Sequence, residues 1–241
     1  MDFKISLAGV TVAVHSIHDE VYRLCADYLT DGAPDFAVTT SQADIDFERE
    51  KSDREALYEH RVPEHFPDSY LETLAVYRAI AVGMLAFDAY LMHGAVVAVD
   101  GKGYLFTAPS GVGKTTHTRL WLEHVPGAFM VNGDKPLLRF RGGGVEVCGT
   151  PWAGKEGVNT NVIVPLRAVC VLERGEKNRI EPLPFLEGYA TLLQQTYRPA
   201  DAVSLQTTMG FVRRLGEAVK LYRLTCNMEP EAALTAYAGM R

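Results

Sequence analysis

Apolar and polar residues alternate through FKISL and again through VTVAV, the period of two that sends every other side chain to one face of a strand. A helix-like stretch, HDEVYRLCADYL, and a third strand, FAVTT, follow. The next segment, SQADIDFEREKSDREALYEH, is too polar for a core and reads as surface, with Ser41 placed to cap it. Pro63 and Pro67 make the clearest break in the pattern. Beyond them YLETLAVYRAIAVGMLAF has a helical period. Strands follow at Met92–Val99 and Tyr104–Thr107, joined by the turn DGKG. A glycine-rich loop then leads into a helix expected to run to about His124. Further strands are expected at AFMV, LLRFR, VEVCG and AVCVLER, between turns such as RGGG. The last third is helical around FLEGYATLLQQ and ADAVSLQTTMGFVRRLGEAV, then gives a strand, VKLYRL, and a final helix after Asn227. Mixed strands and helices with hairpin-like connections predict an α/β fold around a mixed β-sheet.

Composition narrows the class. The chain has 241 residues, of which 47% are hydrophobic and 22% charged, enough to bury a sizeable core. A formal charge of -6 argues against nucleic-acid binding, which needs a basic face. From Ala79 to Val99 the polar interruptions are Asp88 and His93. That stretch reads as a buried helix followed by a central strand, because a mid-span aspartate is costly in lipid. No membrane partner is expected. The N-terminus, MDFKISLAGVTV, lacks the pattern of a signal peptide, so a cytoplasmic location is expected. Cys25, Cys148, Cys170 and Cys226 form no paired motif and are expected to be isolated buried thiols.

The chemistry concentrates in YLFTAPSGVGKTTHTRLW, Tyr104 to Trp121. It follows the phosphate-loop pattern G-x-x-x-x-G-K-[ST], except that Ala108 stands at the first glycine position. An apolar strand precedes the loop and a helix follows Gly113. Free N–H groups at that helix end, with the helix dipole, favour a phosphate over Pro109, Ser110, Gly111, Val112, Gly113, Lys114, Thr115 and Thr116. Lys114 can bridge terminal phosphates, and the Thr115 hydroxyl can ligate Mg²⁺. The cofactors expected are therefore ATP and Mg²⁺. Such a site needs an acid to hold the metal or take a proton. Asp134, in AFMVNGDKPLLR, is the best placed, where the neighbouring strand of a βαβ unit would end. Lys135 beside it can steer phosphate or simply be solvated. In GTPWAGKEGVNTN, Glu156 is a candidate metal ligand or substrate anchor and Lys155 a candidate positive charge on the phosphoryl group. Arg198, in QQTYRP, is a candidate stabiliser of the transferring phosphoryl. A plain surface role stays open for these last three. A lone histidine on an apolar run, as at His93, is more often a satisfied core residue than a catalyst.

The run HGAVVAVDGKGYLFTAPSGVGKTTHTRLW, with VNGD after it, resembles the HPr kinase/phosphorylase family and, more distantly, ATP-dependent phosphoenolpyruvate carboxykinase. The resemblance covers roughly Met92 to Arg174. It implies a mixed-sheet nucleotide-binding core over residues 67–241, on which a family-specific part, residues 1–66, packs within a single domain. It also implies His93 close to the terminal phosphate, Lys114 on the phosphates, Thr115 and Glu156 near Mg²⁺, and Asp134 as base. The parent family commonly forms oligomers, so a homo-oligomer is one possible partner. Where the family has two adjacent acids, this chain has Gly133-Asp134, and its N-terminal part differs. The expected activity is an Mg-ATP-dependent kinase acting on a hydroxyl of a protein, peptide or small molecule. The alternative is a nucleotide-binding regulatory or accessory module without transfer activity. A decarboxylating carboxykinase fits less well, since the chain is short for it.

Overall fold

The computed structural model describes residues 1–241. Contacts divide the chain into two compact units, Met1–Met84 and Leu85–Arg241.

In the first unit, β1 (Asp2–Leu7) and β2 (Val10–His15) form an antiparallel hairpin. Its turn residues Ala8 and Gly9 both have positive φ, the geometry that suits a tight hairpin. The expected first helix is shorter, α1 (Glu20–Leu24), and continues as a single 3₁₀ turn at Ala26–Tyr28. Strand β3 (Phe36–Thr39) lies parallel to β2. Ser41 does cap the polar segment, with the Asp44 carboxylate accepting from its N–H and hydroxyl, and that segment is α2 (Gln42–Tyr58). Helix α3 (Asp68–Gly83) packs on α1, α2 and β3, so it groups with the N-terminal residues. Reading a core from residue 67 puts the division at 66/67, whereas these contacts put it at 84/85.

Two carboxylates are buried in this unit. Glu72 accepts from the N–H groups of Ile17 at 2.6 Å and His18 at 2.7 Å, and from the Thr40 hydroxyl. Glu48 accepts from Arg78 Nε at 2.7 Å. The stretch Asp68–Phe87 is long and apolar enough to cross a membrane by length and composition. Here it ends in a 3₁₀ turn at Met84–Phe87, and the chain then turns into strands.

The second unit is built on a mixed nine-stranded sheet. Its strands are β4 (Ala89–Leu91), β5 (Ala95–Val99), β6 (Lys102–Thr107), β7 (Phe129–Asn132), β8 (Leu137–Arg141), β9 (Gly144–Cys148), β10 (Ile163–Arg174), β11 (Arg179–Pro182) and β12 (Lys220–Cys226). The main path runs β4-β8-β9-β10-β6-β5-β7, with β12 beside β10 and β11 beside β12. The long β10 changes neighbours along its length. Its first residues pair antiparallel with β9, and the rest lie parallel to both β6 and β12.

Helices α4 (Lys114–His124), α5 (Phe185–Gln195), α6 (Ala202–Ala218) and α7 (Pro230–Met240) cover this sheet. Strand alternation divides the core between its faces. Val96, Leu105 and Val169 pack with Leu192 and Phe211 of α5 and α6. Val97, Phe106 and Cys170 pack with Trp121 of α4 and Ala236 of α7. Both faces are buried, which explains why β5 and β6 read as nearly unbroken apolar runs. The four cysteines are free, and burial pushes the Cys25 and Cys148 thiols up to about 12.

Candidate functional site

Strand direction brings three segments to one edge of the sheet. β5 runs antiparallel to both β6 and β7, with Ala95 opposite Phe106 and Val96 opposite Asn132. The residues that precede β5 (His93, Gly94), follow β6 (Ala108–Gly113) and follow β7 (Gly133, Asp134) therefore share one end. β7 is not the immediate neighbour of β6, as a simple βαβ unit would have it, because β5 lies between them. The expected meeting of Asp134 with the loop survives this insertion, since β6 and β7 still point the same way.

The loop is held by its own chain and by β10. Gly111 and Gly113 have φ of 80° and 126°, backbone conformations that favour glycine. Lys114 opens α4 and folds back, donating to the carbonyl of Ala108 at 2.9 Å. Its ammonium is mostly buried, and burial lowers its pKa from the ordinary 10.5, against an opposing pull from Asp134. Arg174, at the end of β10, donates to the carbonyls of Val112, at 3.1 Å, and Gly111.

A cavity of about 670 Å³ opens beside the loop. His93, Ser110, Gly111, Gly113, Lys114, Thr115, Asp134, Lys155 and Glu156 all line it, with Lys135, Ala153 and Gly154. His93 Nε2 stands 3.2 Å from Asp134 Oδ1, and Lys135 Nζ stands 2.9 Å from Asp134 Oδ2. Burial works to raise the Asp134 carboxyl, but the His93 hydrogen bond and the Lys135 charge outweigh it and hold it at about 2. The carboxylate is thus ionised at neutral pH. The backbone here is fixed by Asn132, whose side-chain oxygen accepts from the N–H groups of Asp134 at 2.9 Å and Lys135 at 2.6 Å.

Some expected residues sit elsewhere. Pro109 does not line this cavity, and Val112 and Thr116 face a second one across the loop. Glu156 borders the cavity but is exposed, and its carboxylate is ion-paired with Arg119 of α4. Arg198 is exposed and outside the cavity. The chain passes the site three residues earlier: Thr196 bridges to Met92, and Gln195 Oε1 lies 2.6 Å from His93 Nδ1. Gln195 therefore positions the histidine, a role its place at the end of an amphipathic helix gave no means of reading. Arg119, Asn132 and Arg174 were also unread. Arg119 and Arg174 act through contacts distant in sequence, whereas Asn132 acts on the two residues that follow Gly133.

The arrangement can hold an anion. A helix of 11 residues begins at the cavity, so its unpaired first N–H groups lie at that edge, and Lys114 stands beside them. Thr115 and Asp134 are hard oxygen donors on one cavity, a donor type that suits Mg²⁺. No cluster of three or more His, Cys, Asp or Glu side chains that could hold a metal by itself occurs.

Fold and site together define a mixed α/β protein with a glycine-rich, lysine-bearing loop at the edge of its sheet. The chain belongs to the family described as SynChlorMet cassette protein ScmC, whose model matches residues 71–214. Among solved structures, the Hpr(Ser) kinase/phosphatase from Coxiella burnetii is similar over 62% of this chain and 95% of that one, at 10% identity and a TM-score of 0.37. Comparison with curated proteins gives no match.

Proposed function

We propose that this chain is a Mg-ATP-dependent kinase that moves the γ-phosphoryl group to a hydroxyl of a protein, peptide or small molecule. The observation that carries this reading is the meeting, in one cavity, of the Lys114 helix start with the paired His93 and Asp134. The N–H groups at the start of α4 and the Lys114 ammonium hold the phosphates and take up charge on the group in flight. To reach them, Lys114 exchanges its bond to Ala108 for one to phosphate. The acceptor oxygen forms a bond to phosphorus as the bond to the bridging oxygen breaks, and that electron pair leaves with ADP. The acceptor proton passes to Asp134. A carboxyl held at about 2 is a weak base, so Asp134 orients the hydroxyl first and takes its proton late. That order suits a loose transition state, in which positioning and charge do most of the work. Thr115 and Asp134 would hold Mg²⁺, which supplies charge neutralisation on the phosphates.

A second reading is favoured by Gly133. It occupies the position of a second acid, and Asp134 is already engaged by His93 and Lys135. A nucleotide-binding regulatory module would look the same.

Incubation with γ-labelled ATP, Mg²⁺ and host-cell extract separates the two. Label transferred by the wild type but not by Lys114→Ala or Asp134→Asn supports the kinase, and the labelled fraction gives the acceptor class. ATP binding without transferred label supports the regulatory module.

A further inference from the structure

Across the loop from the cavity of His93 and Asp134 lies another, of about 650 Å³. Gly111 and Gly113 belong to both, so the loop is the ridge between them. Consecutive residues of α4 face opposite ways: Thr115 lines the first cavity and Thr116 the second. Val112, Leu172 and Met228 give the second cavity apolar walls, and it also borders His117.

His117 is only 3% exposed and packs edge-on against Phe106. The indole N–H of Trp121 donates to its Nε2 at 3.1 Å. An indole nitrogen can only donate, so Nε2 must be bare and the hydrogen of the neutral ring sits on Nδ1. That Nδ1 is buried and has no hydrogen-bond partner. Buried donors are almost always satisfied, so an unmet one on a residue that borders the cavity points to a ligand that supplies the acceptor.

We propose that the second cavity takes the nucleoside part of a nucleotide whose phosphates lie on the loop, and that His117 Nδ1 donates to an acceptor atom of the base. This rests on the reading of the loop as a nucleotide site. A phosphate chain along the start of α4 has its terminal group beside His93 and Asp134, and its other end passes Thr116 toward the apolar walls. A flat heteroaromatic ring fits such walls, and its ring nitrogens and carbonyls carry the acceptor that His117 lacks. The donor is then a nucleoside triphosphate rather than a bare polyphosphate.

Calorimetry on the full chain with Mg²⁺ compares ATP, ribose 5-triphosphate and inorganic tripolyphosphate. ATP is expected to bind about tenfold or more tightly than either of the others. His117→Phe, which keeps a ring but removes the donor, is expected to lose most of that advantage and leave tripolyphosphate within about twofold. Because that variant also removes the acceptor for Trp121, a second measurement uses wild-type protein with ¹⁵N-labelled histidine. The His117 Nδ1–H signal is expected to shift with ATP and stay in place with tripolyphosphate. Equal affinity for ATP and tripolyphosphate would overturn the nucleoside cavity. A signal that ATP leaves unmoved would overturn the role of His117. If neither ligand binds at all, the phosphate-loop reading itself falls, and this proposal with it.

Discussion

His93 and Asp134 meet at 3.2 Å because β5 begins where β7 ends. Gln195 lies 2.6 Å from the other nitrogen of the same ring, so the imidazole is gripped on both sides. The histidine is thus an element of alignment for the carboxylate, and the effects of changing it should be read through Asp134.

The carboxyl of Asp134 is depressed from 3.8 to about 2 in the folded protein. A depressed acid stabilises the fold above its unfolded value and loses that contribution as pH falls toward its folded value. Unfolding free energy should therefore drop by on the order of 2 kcal/mol between about pH 4 and pH 2 through this group alone. Denaturation curves across that range, on wild type and Asp134→Asn, check it; the variant should show a shallower fall.

Restoring a second acid at Gly133 should fail. A Cβ there would lie 2.7 Å from the Ala153 carbonyl oxygen and 3.4 Å from that of Val158. Both are backbone atoms, and Gly133 N–H already donates to the Val158 oxygen at 3.1 Å. Gly133→Asp is expected to cost about 1–3 kcal/mol of stability, with no gain in phosphoryl transfer. Thermal unfolding and the labelling assay measure the two effects separately.

Glu156 should prove dispensable for metal. Its partner Arg119 is largely exposed, and pairs of that kind contribute about 0–1 kcal/mol. Glu156→Gln is expected to leave the Mg²⁺ dependence of ATP binding within about twofold of wild type. A tenfold weakening in a Mg²⁺ titration would return Glu156 to the metal.

Glu72 should be far less tolerant. It is fully buried and takes three hydrogen bonds, from Ile17, His18 and Thr40. Glu72→Ala strands those donors and is expected to destabilise by about 3–5 kcal/mol, with Glu72→Gln milder. Urea denaturation of the full chain, followed by circular dichroism, makes the comparison.

Local patterns made much of this legible. The positive-φ glycines, the start of α4 at Lys114 and the apolar runs of β5, β6 and β10 are properties of short segments, and they stand where the residues place them. β4 has only three residues, too few to show a period, and β11, RIEP, is too polar to stand out as a strand, unlike the equally short but apolar β7. Arg198 and Gln195 differ in another way. A positive charge suits a phosphoryl group, while the residue that reaches His93 is neutral and is delivered by a single bridge between Thr196 and Met92. Likewise the vacancy at Gly133 looked like a missing acid in sequence; in space it is a close crossing of two backbones.

The branching of β10 has a consequence for how this protein is made. Its partners β6 and β12 come from opposite ends of the second unit, and Arg174, which braces the loop, stands on the part of β10 that β12 covers. During synthesis the loop and its helix emerge long before residues 220–226 do. Until those residues leave the ribosome, β10 has an unpaired edge and the brace has no fixed base. The site is therefore assembled only once β12 has been made, and a chain truncated before β12 should be an aggregation risk rather than a smaller working protein.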